Sequence, residues 1–267
     1  MPLPNSLPWM ESVDAKMIRA HEHLETLERE IKAYLSAIKV EMVLKTDPAQ
    51  SRPWLVMSAS DYIPPIRLSV LLGDCVHNMR SALDNLVCGL AKTVNPRCKC
   101  RGAFPYRNDE TAWNKHFQDD LKGVPADAQK IIKDLQPWND PSKQSSLLML
   151  NKLSNDDKHR TCNFTLAYNQ DLMFRIHGND GTIAEIAYNK PIYLGDPQTV
   201  PLPMSAAAVI PSARVQAKGR LVITLRDEGI WAADTPVEQV LRRCFDHVEK
   251  EVIGKLTRFF KPTIVLL

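Results

Sequence analysis

The chain has 267 residues, 44% hydrophobic and 24% charged, an ordinary balance for a protein that buries a sizeable core. Its 34 basic and 31 acidic residues leave a net charge of +3, which excludes nucleic-acid binding by bulk electrostatics, so an RNA partner would need a local patch. Met1–Pro8 lacks a basic start followed by an apolar run, and no apolar run reaches bilayer length, so the expectation is a cytoplasmic protein with no membrane partner.

Residues 9–38 read as one amphipathic helix, with Val13, Met17, Leu24, Leu27, Ile31 and Tyr34 recurring every three or four positions. Residues 39–60 alternate around a Pro48-containing turn and predict a β-hairpin. Pro64-Pro65 then opens a central helix over 68–91. A loop follows at 95–106, and shorter helices are expected at 109–119, 125–135 and 142–156. Residues 163–226 turn strand-like at 163–168, 172–176, 182–186 and 220–225. Asp234-Thr235-Pro236 caps a final helix to about Phe260.

The expected fold class is therefore α+β, a mainly helical bundle with a small antiparallel β-layer and a β-hairpin. One domain is expected, with a helical core over 9–160 and 234–260 and a β-rich insertion at 163–226. The six cysteines, at 75, 88, 98, 100, 162 and 244, are expected as reduced thiols.

The central helix is the most informative segment. From Leu68 to Ala91 it contains no Lys and no Glu, the side chains that normally coat an exposed helix. Leu72, Cys75, Val76, Met79, Ala82, Leu83, Leu86, Val87 and Leu90 fall on one apolar arc. Asp74, His77, Asn78, Ser81, Asp84 and Asn85 fall opposite, with Arg80 at the seam. Short polar groups in place of Lys and Glu predict a stripe that is enclosed, and enclosed charges must be paired. A second polar run, Asn155-Asp156-Asp157-Lys158-His159-Arg160, ends the helix at 142–156 and repeats the same residue types. Antiparallel packing of the two helices would bring two His and two Arg to one place.

Gly73-Asp-Cys-Val-His-Asn-Met-Arg-Ser-Ala-Leu-Asp-Asn-Leu86, with Phe104-Pro105, Gln136-Pro137 and Asp157-Lys-His-Arg160, resembles a family of uncharacterised bacterial proteins. Their pattern is roughly GD-x-x-HN-x-RSALDHL, then FP, QP and L-x-x-L-x-N-x-DKHR. The Arg-x4-His core of that pattern is similar to the motif of HEPN domains, helical bundles that often dimerise and in many cases cleave RNA without metal. The resemblance implies a homodimer that acts on RNA or binds a small anionic ligand, with no cofactor.

Arg80 matches the motif arginine, and Asn85 stands where the histidine would be. Cleavage would then need His77 or His159 as the base that activates a ribose hydroxyl, with Arg80 and Arg160 on the phosphate. Asp84 would orient them, and Asn78, Asn85, Asn155 and Asp157 would bind. Two other readings use the same residues. One is a non-catalytic dimeric binding or assembly module, which the Asn at position 85 favours. The other is a metal-dependent enzyme in a helical bundle with His77, Asp84, Asp157 and His159 as ligands.

Overall fold

The computed structural model describes residues 8–46, 53–99, 102–140, 142, 144–159, 162, 164–168, 172–178, 181–194, 198–202, 214–225 and 234–260. The chain divides into two compact units. One comprises Met1–Leu27, Ser69–Cys162 and Glu238–Leu267, and the other Glu28–Leu68 and Asn163–Val237. The fold is α+β and mainly helical, with small antiparallel sheets.

The first unit is helical. The N-terminal part of α1 (Pro8–Ala37) buries Val13, Met17, Ala20, Leu24 and Leu27, alternating four- and three-residue steps that keep one face inward. Helix α2 (Ile66–Val94) is the central helix, and all nine residues of its predicted apolar arc are buried. At Gly89 a Cβ would lie 2.9 Å from the Trp9 side chain and 2.8 Å from the Phe260 ring, so glycine permits a three-way approach there. Helix α3 (Glu110–Asp120) starts where Asp109 accepts the Ala112 amide at 2.7 Å, satisfying one of the orphan donors of a first turn. Helices α4 (Ala126–Asp134) and α5 (Ser146–His159) follow, the latter burying Leu147, Leu150 and Leu153.

The final helix departs from expectation. Helix α6 (Val237–Asp246) passes into a π-helical stretch at His247–Ile253 before α7 (Gly254–Leu256) and a 3-10 turn at Thr257–Phe260. Val240, Cys244, Val248, Val252 and Leu256 stay buried throughout at a uniform four-residue step, wider than the 3.6 of an α-helix and in keeping with the wider turn of the changed hydrogen-bond ladder.

The second unit holds the sheets. Strands β1 (Val40–Thr46) and β2 (Pro53–Ala59) form the predicted hairpin, in register from Val40↔Ala59 to Thr46↔Pro53. β2 also pairs with β7 (Gln198–Pro201), which places the hairpin with the β-layer and outside the helical core expected over 9–160. A second sheet orders β6 (Ile192–Tyr193), β3 (Phe164–Tyr168) and β9 (Leu221–Leu225). A third orders β5 (Ile183–Tyr188), β4 (Leu172–His177) and β8 (Arg214–Lys218). Leu172, Phe174 and Ile176 of β4 point inward while Met173 and Arg175 face water, the two-residue period of a half-buried strand. Leu55, Met57, Leu166 and Phe174 centre this unit's core.

Among the described residues no helix is long and apolar enough to cross a membrane. The cysteine expectation needs one correction. Cys75, Cys98, Cys162 and Cys244 are free, but Cys88 is disulfide-bonded. Cys100 and Arg160 lie outside the described residues.

Candidate functional site

The two polar runs of the sequence meet in the helical unit, at the end of α5 and the middle of α2. Gly73 makes the meeting possible: a Cβ there would fall 2.1 Å from Oδ1 and 2.6 Å from Cγ of Asp157. Any side chain at position 73 would displace that carboxyl group, so the glycine is a close-approach position and not a helix-weakening accident. Burial pushes the Asp157 carboxyl above its usual range, and the neighbouring Asp74 charge pushes it further. His77, followed by Lys158, pulls in the other direction. Asp74 and His77 are themselves exposed. The His77 Nε2 lies 3.4 Å from the Ser81 hydroxyl one turn along. Asp74, His77, Ser81 and Asp157 thus form a solvent-accessible patch of two carboxyls, an imidazole and a hydroxyl.

The next turns of α2 are used differently. Asp84 Oδ1 accepts the Phe104 backbone N–H at 2.8 Å, and Arg80 Nη2 donates to the Phe104 carbonyl at 3.1 Å. One peptide segment is therefore gripped at both its polar atoms by side chains four residues apart on a single helix face. The two side chains also pair with each other at 3.8 Å. The guanidinium stacks 3.7 Å above the centroid of the Tyr106 ring, a cation–π contact in a place where the Arg side chain is only 17% exposed. Burial raises the pKa of the Tyr106 hydroxyl, against the pull of Arg80. Both that hydroxyl and Arg80 Nη1 are buried with no hydrogen-bond partner among the described residues.

The same loop is held from its other side. Gln136 is 1% exposed, donates to the carbonyls of Pro105 and Ile132, and accepts the Arg107 N–H through its Oε1. Arg107 in turn pairs with Asp120. The Phe104-Pro105 and Gln136-Pro137 dipeptides of the sequence pattern are consequently two halves of one loop anchor.

The remaining predicted residues separate. Asn78 is buried and donates to the Asp74 carbonyl on its own helix, and Asn85 donates to the Ser12 hydroxyl of α1 at 2.9 Å. Asn155 is exposed. His159 ends α5, but its side chain, like Arg160, lies outside what is described. The expectation of a fully enclosed stripe is thus corrected: Asp74 and His77 face solvent, while Arg80, Asp84 and Asn85 are covered in part by the 102–107 loop and α1. Nor does the Arg80 guanidinium face a shared opening with His77; it is committed to Phe104, Asp84 and Tyr106.

Among the described residues no three His, Cys, Asp or Glu side chains are disposed to hold a metal ion. Asp84, one of the ligands that reading requires, is occupied by the Phe104 amide. Sequence reasoning did not anticipate the roles of Gly73, Tyr106 or Gln136. Position 73 and the two dipeptides were visible as pattern, and only the packing gives them a purpose. Compared with known protein families, curated proteins and solved structures, the chain matches none.

Proposed function

We propose that the helical unit is a HEPN-like binding and assembly module in which the motif arginine has a structural use. The observation that carries this reading is the grip of Arg80 and Asp84 on the Phe104 peptide. An arginine that stabilises a pentavalent phosphate must present free N–H groups to solvent-borne substrate. Here the guanidinium is mostly buried, donates to a main-chain carbonyl and lies flat on an aromatic ring. Asn85, in the place of the motif histidine, spends its amide on Ser12. Dimerisation through this unit and a cytoplasmic location belong to the same proposal.

A second reading, metal-independent RNA cleavage, draws on a different observation. His77 is accessible, sits beside a hydroxyl and neighbours a carboxyl of raised pKa, the elements of acid–base chemistry. Against it, Asp74 and Asp157 place negative charge where a phosphodiester would have to approach.

Incubating the purified protein with labelled RNA in EDTA separates the two readings. Binding and assembly predict no EDTA-resistant cleavage, and light scattering then reads the dimer. Cleavage that persists in EDTA and disappears in His77→Ala, a substitution at an exposed position, would establish the nuclease reading instead.

A further inference from the structure

Along α2, Arg80, Asp84 and Cys88 recur at four-residue steps and form one helical row. The first two hold Phe104 of the following loop. The third reaches the same loop two residues earlier, with its Sγ 3.8 Å from the Gly102 carbonyl oxygen. Gly102 fits there because it lacks a side chain: a Cβ would fall 2.6 Å from the Asp120 carbonyl oxygen and 3.3 Å from Val87. Cys88 is disulfide-bonded. Cys75, Cys98, Cys162 and Cys244 are free, so of the six cysteines only Cys100 is left to bond with it in the same chain.

The surroundings decide what kind of disulfide this is. A bond shut inside a core resists reduction, whereas one within reach of solvent exchanges with other thiols. Cys88 is half-buried, and Arg97 and Lys99 of the adjoining loop are exposed. Residues 85–108 hold Lys92, Arg97, Lys99, Arg101 and Arg107 and no Asp or Glu. Arg107 is matched by Asp120, but Lys99 and Arg101 flank Cys100 in the sequence. Positive charge stabilises the thiolate that leaves when a disulfide is attacked, which makes such a bond easier to open. Three of the free cysteines are set apart from this chemistry. Cys75, Cys162 and Cys244 are buried, and burial pushes the thiols of Cys162 and Cys244 up to about 12, so they stay protonated at neutral pH.

We propose that Cys88 and Cys100 form a reversible latch that fastens the loop to α2 and opens to a low-molecular-weight thiol. Two molecules of that thiol supply two electrons and two protons. The Cys88–Cys100 S–S bond breaks, both cysteines become thiols, and the two donor sulfurs join in a new disulfide. A small disulfide closes the latch by the reverse reaction. Arg80 and Asp84 hold Phe104 in either state, so opening frees only the chain between the end of α2 and Phe104. The latch shares no residue with the Asp74–His77–Asp157 patch and is read without RNA or assembly. Its failure and that of the binding-module reading are therefore distinguishable.

The test equilibrates the full chain, purified without reductant, in mixtures of reduced and oxidised glutathione. Acid quenching, alkylation and mass spectrometry then map the cysteines. The Cys88–Cys100 pair should disappear from the folded protein in excess reduced glutathione and return when oxidised glutathione is added. Limited trypsin digestion reads the loop: cleavage after Arg97 and Lys99 should quicken several-fold on reduction, while cleavage elsewhere keeps its rate. Cys88→Ser should give the fast cleavage with or without glutathione. Cys100→Ser, which leaves the α2 side chain in place, should do the same and serves if Cys88→Ser does not fold. Three results would overturn the proposal. One is Cys88 bonded to a second chain, or to no cysteine at all. Another is a bond that opens only in urea, which marks a fixed structural staple. The third is a bond that opens with no change in tryptic rate, since it then fastens nothing.

Discussion

In one half of α2, Arg80 and Asp84 hold both polar atoms of Phe104; one turn earlier, Asp74 and His77 remain open to water beside Asp157. The two groups share a helix face and draw on the same residue types. What separates them is the neighbour. The 102–107 loop brings a peptide N–H and C=O within reach of Arg80 and Asp84, and their charges are consumed in fixing it. At Asp74 and His77 the neighbour is the end of α5, which brings a further carboxyl and, among the described residues, no complementary backbone pair. Polar chemistry on a central helix is thus divided into a structural and an accessible part by what packs against each turn, and only the accessible part can meet a ligand.

Removing the arginine should break this comparison most visibly. Arg80→Ala deletes the bond to the Phe104 carbonyl, the pair with Asp84 and the stack on Tyr106, and should cost about 3 kcal/mol, the range for breaking a largely buried pair. Arg80→Lys keeps the charge but not the planar fork and should fall between. Urea unfolding followed by tryptophan fluorescence measures both. A loss under about 0.5 kcal/mol for Arg80→Ala, typical of surface positions, would mean that the grip on Phe104 is ornamental.

A finer test lies within the grip. Asp84→Ala strands the Phe104 amide and should cost about 1–2 kcal/mol, the penalty for an unmet, partly buried donor. Asp84→Asn retains a carbonyl acceptor in the same place and should lose less than half of that. Equal losses would shift the weight from the Phe104 bond to the ion pair with Arg80.

Gly73→Ala attacks the other half. Its new Cβ meets the Asp157 carboxyl, the exposed end of a flexible side chain that can swing aside, so the contact should cost at most about 1 kcal/mol, set against the roughly 0.5–1 kcal/mol by which alanine favours a helix over glycine. The informative variant is the double one. With Asp157→Ala the clash has no second party, so Gly73→Ala/Asp157→Ala should be free of that cost, a coupling that a double-mutant cycle reads directly. Additive effects would show that the alanine disturbs α2 on its own account.

Much of this was legible in the sequence, for identifiable reasons. The nine-residue arc of α2 follows from spacing alone, because burial on a helix is set by angle around its axis. The scarcity of Lys and Glu rightly marked the opposite stripe as unusual. Its division was hidden, since whether Arg80 meets water or Phe104 depends on a loop some twenty residues on, which appears in sequence only as Phe-Pro. The β1–β2 hairpin is local and was read correctly. Its pairing with β7 is long-range and was not. β6 is two residues long, and Arg214-Val-Gln-Ala-Lys218 of β8 carries too little apolar signal to be seen. The π-helical stretch is marked only by a run of four-residue steps among its buried residues, a signal too close to α-helical spacing to stand out in sequence.

The smallest effect expected is also the most specific to the accessible half. Burial first, and Asp74 second, raise the Asp157 carboxyl pKa in the folded chain above its value of about 3.9 when unfolded. Between those two pKa values the native state holds more of this proton than the unfolded state does, so the group's contribution is greatest in acid and is lost as pH rises through the folded pKa. Asp157→Asn carries no titrating group, so at neutral pH it should melt slightly above the wild type. The gap should close as pH falls through the carboxylate range. His77 opposes the shift. A gap independent of pH would mean that Asp157 behaves as an ordinary solvated carboxylate. The electrostatic link between the end of α5 and the face of α2, which distinguishes this half of the helix from the Phe104 grip, would then be absent.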